Sequence, residues 1–340
     1  MSSLHTIFFD DYWFKTSLPS VIVYIVVSFF TIFVNLLLCV AYWKDPFREL
    51  QTAQNYYVLN LGIADLIMGA VSEPLLVVTY WENRNVFYLV HYLFAIISAS
   101  CSLLNITALS VIRYFAVQRP FQTQNIVNKR NVKISIGVIW GISFHYALLP
   151  LLGWRDTTFQ LYLYGFGCVI PTLVFIIAYF MVYRALSQHT VMIERLGEQR
   201  CLPLKNAIRT EKAATRTVLL VLIVFLVLWI PFLSIDFAMV QCEECRSDGF
   251  HLARDITLSL VYFSSGINPV IYAWRMKSFR RAFLRVTGIG TISFKRMNLA
   301  WNNTSEAPPN SVQTAINYKQ ENENVVIGIG SMDSGCSSVI

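Results

Sequence analysis

The sequence predicts an all-α fold: a seven-transmembrane helix bundle with a short amphipathic interfacial eighth helix. Three observations carry this. Of the 340 residues, 55% are hydrophobic and only 14% are charged, against about 25% charged in a soluble chain. The apolar residues gather into seven stretches, each near the roughly 20 residues that cross about 30 Å of hydrocarbon. Basic residues concentrate after stretches three, five and seven. The net charge of +7 therefore marks membrane topology and not nucleic acid. One large soluble helical protein is disfavoured by the same composition.

Residues 1–17 read as an extracellular N-terminus. Its centre is acidic (Asp10, Asp11) and no basic leader precedes the first span, so no cleavable signal peptide is expected. Leu18–Trp43 follows as span one, with one amide, Asn35. Asn55–Trp81 is span two and holds Asp65; Phe87–Val117 is span three and ends near Arg113. Val132–Trp154 contains Trp140 and Pro150, and a short loop, Arg155–Gln160, leads to Leu161–Leu186, bent by Pro171. Ser187–Arg209 is polar and charged, with Gly197 and Pro203, and reads as helix extensions around a mobile turn. Thr210–Val240 carries Pro231, and Leu252–Trp274 carries Asn268 and Pro269. These spans make one domain over 18–275.

Residues 276–286 place Phe279, Ala282, Phe283 and Val286 on one helical face and Lys277, Arg280, Arg281 and Arg285 on the other. Such a helix lies on an anionic leaflet, so membrane lipids are an expected partner. From residue 287 to 340 the composition turns to Ser, Asn, Gly and Glu, a disordered tail that cannot bury enough apolar surface to fold. Arg119, Lys129, Arg130 and Lys133 fall on the side opposite Glu82, Asp156, Glu243, Glu244 and Asp248. Positive-inside bias then predicts a multi-pass plasma-membrane protein, N-terminus outside and tail in the cytoplasm. No internal repeat is visible, which argues against transporters built from duplicated halves.

An ionisable side chain deep in a span costs about 2.5–3.5 kcal/mol and is functional by default. Asn35, Asp65, Arg113 and Asn268 are the main polar residues within the spans. The most specific string is Asn268-Pro269-Val270-Ile271-Tyr272, closing the seventh span. With it go Leu61-Gly-Ile-Ala-Asp65, Ile112-Arg113-Tyr114 followed by Ala116 and Pro120, Trp140, Pro171 with Tyr179, and Phe225-Leu-Val-Leu-Trp229-Ile-Pro231-Phe232. On these residues the chain resembles the class A (rhodopsin-like) G-protein-coupled receptors over about residues 18–286.

The resemblance implies a receptor without enzyme chemistry, an extracellular ligand and a heterotrimeric G protein as partner. It implies a mid-membrane pocket of Asn35, Asp65, Ser102, Trp229, Ser264, Ser265 and Asn268 that holds allosteric sodium; Asp65 simply hydrogen-bonded to Asn268 and Asn35 is the alternative. It also implies an activation switch of Arg113, Tyr114, Tyr179, Glu211, Pro231, Pro269 and Tyr272, with Arg113 paired to Glu211. Pro171, Leu103 and Phe225 fall at packing-switch positions. The family's acidic residue before Arg113 is Ile112 here, so ligand-independent signalling is expected.

Local strings resemble the adenosine receptors and their melanocortin and lipid-receptor relatives: Leu151-Leu-Gly-Trp154, Phe166-Gly-Cys-Val-Ile-Pro171, Glu211-Lys-Ala-Ala and the Cys-x-x-Cys loop. The resemblance places ligand contacts at Ala95, Ala99, Phe159, Trp229, Phe232, Leu233, Asp236, Leu258 and Tyr262. Asp236 replaces the purine-binding Asn of adenosine receptors, and Leu233, Ala99, Val261 and Tyr262 replace other contacts. Adenosine therefore stands beside another small molecule, a lipid or a peptide. A biogenic amine lacks its span-three carboxylate, since Ala95 stands there, and an opsin lacks its span-seven Lys at Tyr262. Glu73, His91, His145 and Arg254 also face a plausible pocket, with a loop or headgroup contact as the plainer role.

The family's tie between span three and the second outer loop is absent, because Tyr88 stands at the span-three position. Cys242 and Cys245 are the cysteines expected outside and predict a small loop disulfide; a zinc site would need two more ligands. Ser338 and Ile340 suit a PDZ groove, and tail Ser and Thr (Ser293, Thr304, Ser305, Ser311, Ser331, Ser334) suit receptor kinases and arrestin. Rival classes are a seven-span channel or transporter, which would need a continuous polar stripe, and a constitutively active or orphan receptor.

Overall fold

The structure, a computed structural model, describes residues 17–45, 50, 52–82, 85–118, 128–154, 156–196, 202–242 and 247–287. Seven helices among them are long and apolar enough to cross a membrane. No strand occurs among the described residues.

Span one is the helix Leu18–Trp43. Ser17 is its N-cap, its hydroxyl accepting from the Ser20 amide at 3.4 Å, and Pro19 sits in the first turn, where its missing N–H costs nothing. Val21, Tyr24, Val27, Ser28, Thr31, Val34, Asn35 and Leu38 are buried, a stripe of helical period. The opposite face is exposed yet apolar: Ile22, Val26, Phe29, Phe33 and Leu36. An apolar outward face is what a lipid environment selects.

Span two begins at Ala53, capped by the Thr52 hydroxyl on the Asn55 amide at 3.3 Å. It widens to a π turn over Met68–Ser72 and resumes as Glu73–Glu82. The Glu73 amide donates five residues back, to the Met68 carbonyl. Pro74 has no N–H to do the same for Gly69. The Ser28 hydroxyl of span one supplies that bond to the Gly69 carbonyl at 2.8 Å. A Cβ on Gly69 would stand 2.9 Å from Thr31 Cγ2, so glycine permits this approach.

Span three, Asn85–Gln118, is central, packing against spans two, four, five and six. Span four is Lys129–Leu151, capped by Asn128 on the Asn131 amide at 2.8 Å. It ends at Gly153, whose φ of 98° is a left-handed stop. Trp154 N–H reaches back to the Leu149 carbonyl and Gly153 N–H to Pro150, each at 3.2 Å, which satisfies two terminal carbonyls.

The expected loop Arg155–Gln160 is instead helical from Thr157. The Asp156 carboxylate caps it, accepting from the Phe159 amide at 3.1 Å; the Thr158 hydroxyl holds that carboxyl below the usual range. Span five therefore starts earlier than Leu161. It runs through a second π segment, Leu163–Val169, into Ile170–Leu196.

Span six belongs to a helix from Leu202 to Gln241, so its inner end extends well before Thr210. Span seven is Asp248–Arg275. Met276 is extended, at φ −105° and ψ 114°, and a short helix, Lys277–Val286, follows. Phe279 and Ala282 are buried beneath it, with Phe279 5.9 Å from the Tyr272 ring, while Arg280, Arg281 and Arg285 stay exposed. The helix packs against span one as well as span seven. Residues 1–16 and 288–340, which include Ser338 and Ile340 of the expected tail, lie outside the described residues.

Candidate functional site

Two cavities sit one above the other along the bundle. The one that opens at the end of the bundle expected to face outside, the outer cavity, measures about 1040 Å³, counting the part continuous with solvent. Eight of the nine expected ligand positions line it: Ala95, Ala99, Trp229, Phe232, Leu233, Asp236, Leu258 and Tyr262. Phe159 does not. It is fully buried, packed with Ile96, Tyr146 and Leu163 and edge-on to Trp154 at 5.9 Å. The capped turn at Asp156 folds it into the bundle wall.

A polar clasp joins three spans at the outer cavity. Arg254 Nε of span seven donates to Asp236 Oδ1 of span six at 2.8 Å, and the Tyr164 hydroxyl of span five donates to Asp236 Oδ2. Both charges are buried, and such a pair is tolerated only when paired and hydrogen-bonded, as here. His91 also lines the cavity. Its Nδ1 lies 2.8 Å from the Ser72 carbonyl, which can only accept, so Nδ1 carries the proton. Nε2 then accepts from the Tyr262 hydroxyl at 3.3 Å. His145 is elsewhere, exposed on span four with Nε2 3.2 Å from the Tyr162 hydroxyl. Tyr24, Tyr92, Tyr164 and Asp255 line the cavity too and were not expected from the sequence. For Asp255 the signal existed: it is a carboxylate inside an apolar span.

The smaller cavity, about 340 Å³, is lined by Ala99, Ser102, Phe225, Trp229, Ser264, Ser265 and Asn268, among others. Asp65, 1% exposed, accepts from Ser102 Oγ on Oδ1 and from Asn268 Nδ2 on Oδ2, each at 3.0 Å. Asn35 does not reach Asp65 directly; its Nδ2 donates to the Thr31 carbonyl at 2.9 Å and the Ser265 carbonyl at 3.1 Å. These bonds join spans two, three and seven at Asp65, and Asn35 ties span one to span seven beside them. Their donor set is a carboxylate with hydroxyl and amide oxygens, which fits a hard cation; sodium there would be held by Asp65, Ser102, Ser264, Ser265 and Asn268. Among the described residues no group of three or more His, Cys, Asp or Glu could hold a metal.

Trp229 touches both cavities. Its Nε1 donates to Ser264 Oγ at 3.2 Å and its ring stacks on Phe225 at 5.1 Å. Across from it, Thr107 Oγ1 bonds the Leu103 carbonyl at 2.8 Å and the Pro171 carbonyl at 3.3 Å, tying span three to the bend of span five. A third network fixes spans two, three and four. Trp140 Nε1 donates to Asn60 Oδ1 at 2.8 Å, Asn60 Nδ2 to Asn105 Oδ1 at 2.9 Å, and Asn105 Nδ2 to the Cys101 carbonyl at 2.7 Å.

Toward the other end, Arg113 is half-buried on span three, and Tyr114 packs against Val117, Val182 and Leu186. Tyr179 is half-buried on span five and Tyr272 is buried beside Phe279. Pro231 and Pro269 lie inside their helices. The side chain of Glu211, the expected partner of Arg113, lies outside the described residues, as does Cys245.

The sequence model of the "7 transmembrane receptor (rhodopsin family)" matches residues 34–160 and 154–272. The chain belongs to that family of membrane receptors. It is 23% identical over 303 residues to the adenosine receptor A2a of Equus caballus, covering 79% of this chain and 72% of that receptor. It is 24% identical over 323 residues to the 5-hydroxytryptamine receptor 2C of Rattus norvegicus, covering 76% and 70%. It is also 22% identical over 286 residues to the adenosine receptor A2b of Canis lupus familiaris, covering 74% and 84%.

Proposed function

We propose that the protein binds an extracellular small ligand in the outer cavity and activates a heterotrimeric G protein through outward motion of the inner end of span six. The reading is carried by Trp229: one side chain borders both cavities on the helix that contains Pro231. A ligand that prefers one rotation of that helix shifts a two-state equilibrium by its differential affinity. Arg113 is the group released toward the transducer, and Ile112 leaves it with one restraint fewer. Family membership favours a receptor over a channel. On this reading the protein sits in the plasma membrane with its tail inside. Cys242–Cys245 closes an outer loop, sodium at Asp65 favours the resting state, and the tail meets kinases, arrestin and a PDZ domain.

The names of its relatives make adenosine a ligand to test. Against it stands Asp236, a carboxylate with no N–H to offer a purine ring nitrogen, whose two oxygens each already accept one bond, from Arg254 and Tyr164. A lipid or peptide ligand remains the alternative.

The test is second-messenger output, cAMP and calcium, in transfected cells without added ligand. Wild type should exceed mock-transfected cells, and Arg113→Ala should fall to background. Ile112→Asp should lower the baseline by about tenfold or more, since a bond to a charged group is worth about 1.5–3 kcal/mol. Equal output from wild type and Arg113→Ala at equal surface expression sinks the reading.

A further inference from the structure

We infer that the ligand of the outer cavity is a protonated primary or secondary amine with an apolar body, and that Asp255 of span seven is its counter-ion. This rests on the receptor reading above and names the ligand class of that same site.

Three formally charged side chains line the cavity: Asp236, Arg254 and Asp255. The first two neutralise one another at 2.8 Å, with Tyr164 completing Asp236. Asp255 interacts with Ser17, Ser20, Tyr24 and the Arg254 charge, and in its ionised form it leaves the lining one negative charge in excess, two carboxylates against one guanidinium. Asp255 is 6% exposed, and its Oδ2 is buried without a hydrogen-bond partner. A buried carboxylate oxygen in that condition is costly. A ligand that brings an N–H donor with positive charge recovers that cost; a neutral one leaves the charge unmatched, and an anion aggravates it.

Glu73 of span two is a further buried carboxyl, 0% exposed with no hydrogen-bond partner on either oxygen, but it is not part of the cavity lining. Spans one, two and seven meet here. Tyr24 and Tyr262 stand in that corner with ring centroids 5.7 Å apart at 75°, and the Tyr24 hydroxyl holds the Asp255 backbone carbonyl at 3.3 Å. With Tyr88, Tyr92 and Tyr164 they give the cavity five tyrosine rings, and aromatic faces attract a cation. The unmatched Asp255 oxygen asks for an N–H donor, which a quaternary ammonium lacks. Beyond this corner and the self-neutralised Asp236–Arg254 clasp, the wall is apolar, with Ile96, Leu103, Phe225 and Phe232 among it, so the rest of the ligand is apolar as well.

The sequence argued against an amine because Ala95 stands where span three would supply a carboxylate. Ala95 and Asp255 border one cavity, so the counter-ion comes from another wall and the amine lies with its charged end toward spans one and seven.

The test uses the full-length receptor, solubilised and read by thermal unfolding with graded tryptamine, tyramine, phenethylamine or hexylamine. Controls are 2-phenylethanol, 1-hexanol and phenylacetate. At least one amine should raise the midpoint where its neutral and anionic counterparts do not. Asp255→Asn should weaken that amine by about tenfold to a hundredfold, the range of a lost charge-assisted bond, and Asp255→Glu should retain most of the affinity. Cell-surface amounts of each variant, counted by an N-terminal epitope, verify folding. The inference is overturned if no amine shifts the midpoint, if the alcohols or phenylacetate shift it as much, or if Asp255→Asn binds the amine unchanged. Basal output of Arg113→Ala needs no ligand, so it reports on the receptor reading separately.

Discussion

Gly266→Ala is expected to lower the thermal midpoint of the solubilised protein and its surface yield, and Gly266→Leu to abolish both. A Cβ at this position would stand 2.6 Å from Cδ1 and Cε1 of Phe30 and 3.1 Å from Thr31 Oγ1. The Phe30 ring is itself stacked on Phe263 at 5.6 Å and 18°, so it cannot turn aside without losing that partner. Spans one and seven must separate instead. Overpacking of this kind costs about 1–3 kcal/mol, and close backbone approach at small residues is a main source of helix association in a bilayer. Gly137 and Gly141 on span four have nothing within 4 Å of a built Cβ. Alanine there should be neutral or stabilise by about 0.5–1 kcal/mol through helix propensity. If Gly137→Ala and Gly266→Ala lose stability equally, the packing of spans one and seven is not as described.

Asn268→Ala is expected to be the more disruptive change in the lower cavity, and Asp65→Asn to rescue much of it. Asn268 donates to a carboxylate that is 1% exposed. Removing the amide leaves one carboxylate oxygen without its donor, a loss of about 1.5–3 kcal/mol for a bond to a charged group. Replacing Asp65 by Asn removes the charge that made the loss severe, so the double variant should be more stable than additivity predicts. Sodium supplies a second readout. Raising NaCl at constant ionic strength against choline chloride should raise the wild-type midpoint, and Asp65→Asn should lose that response. Additive single losses, or a sodium response that survives Asp65→Asn, would contradict the arrangement.

Hydropathy and the proline and asparagine marks were enough to place the spans, because each reflects a local requirement of a helix in hydrocarbon. The cavity positions came from another source: Ala95, Ala99, Trp229, Asp236 and Tyr262 were expected from the family resemblance, and each borders the cavity. What escaped depends on more than one helix. The Arg254–Asp236–Tyr164 clasp joins three spans, and no spacing along the chain announces which charges will meet. Phe159 was assigned to a loop because Arg155–Gln160 looks short and polar-ended, whereas the Asp156 cap turns it into a helix and buries the ring. The two π turns were invisible because apolar runs carry no mark of an i to i−5 hydrogen bond.

The π turn at Met68–Ser72 also affects any comparison with relatives. One surplus residue in a coil of 3.6 per turn advances everything beyond it by about 100°. Ser72 meets His91 across the interface, and Glu73 is hidden, through that phase advance. A relative whose second helix stays regular would align here without a gap and yet present different side chains to the interior. Correspondences outward of residue 72 therefore need a one-position offset before any contact is transferred.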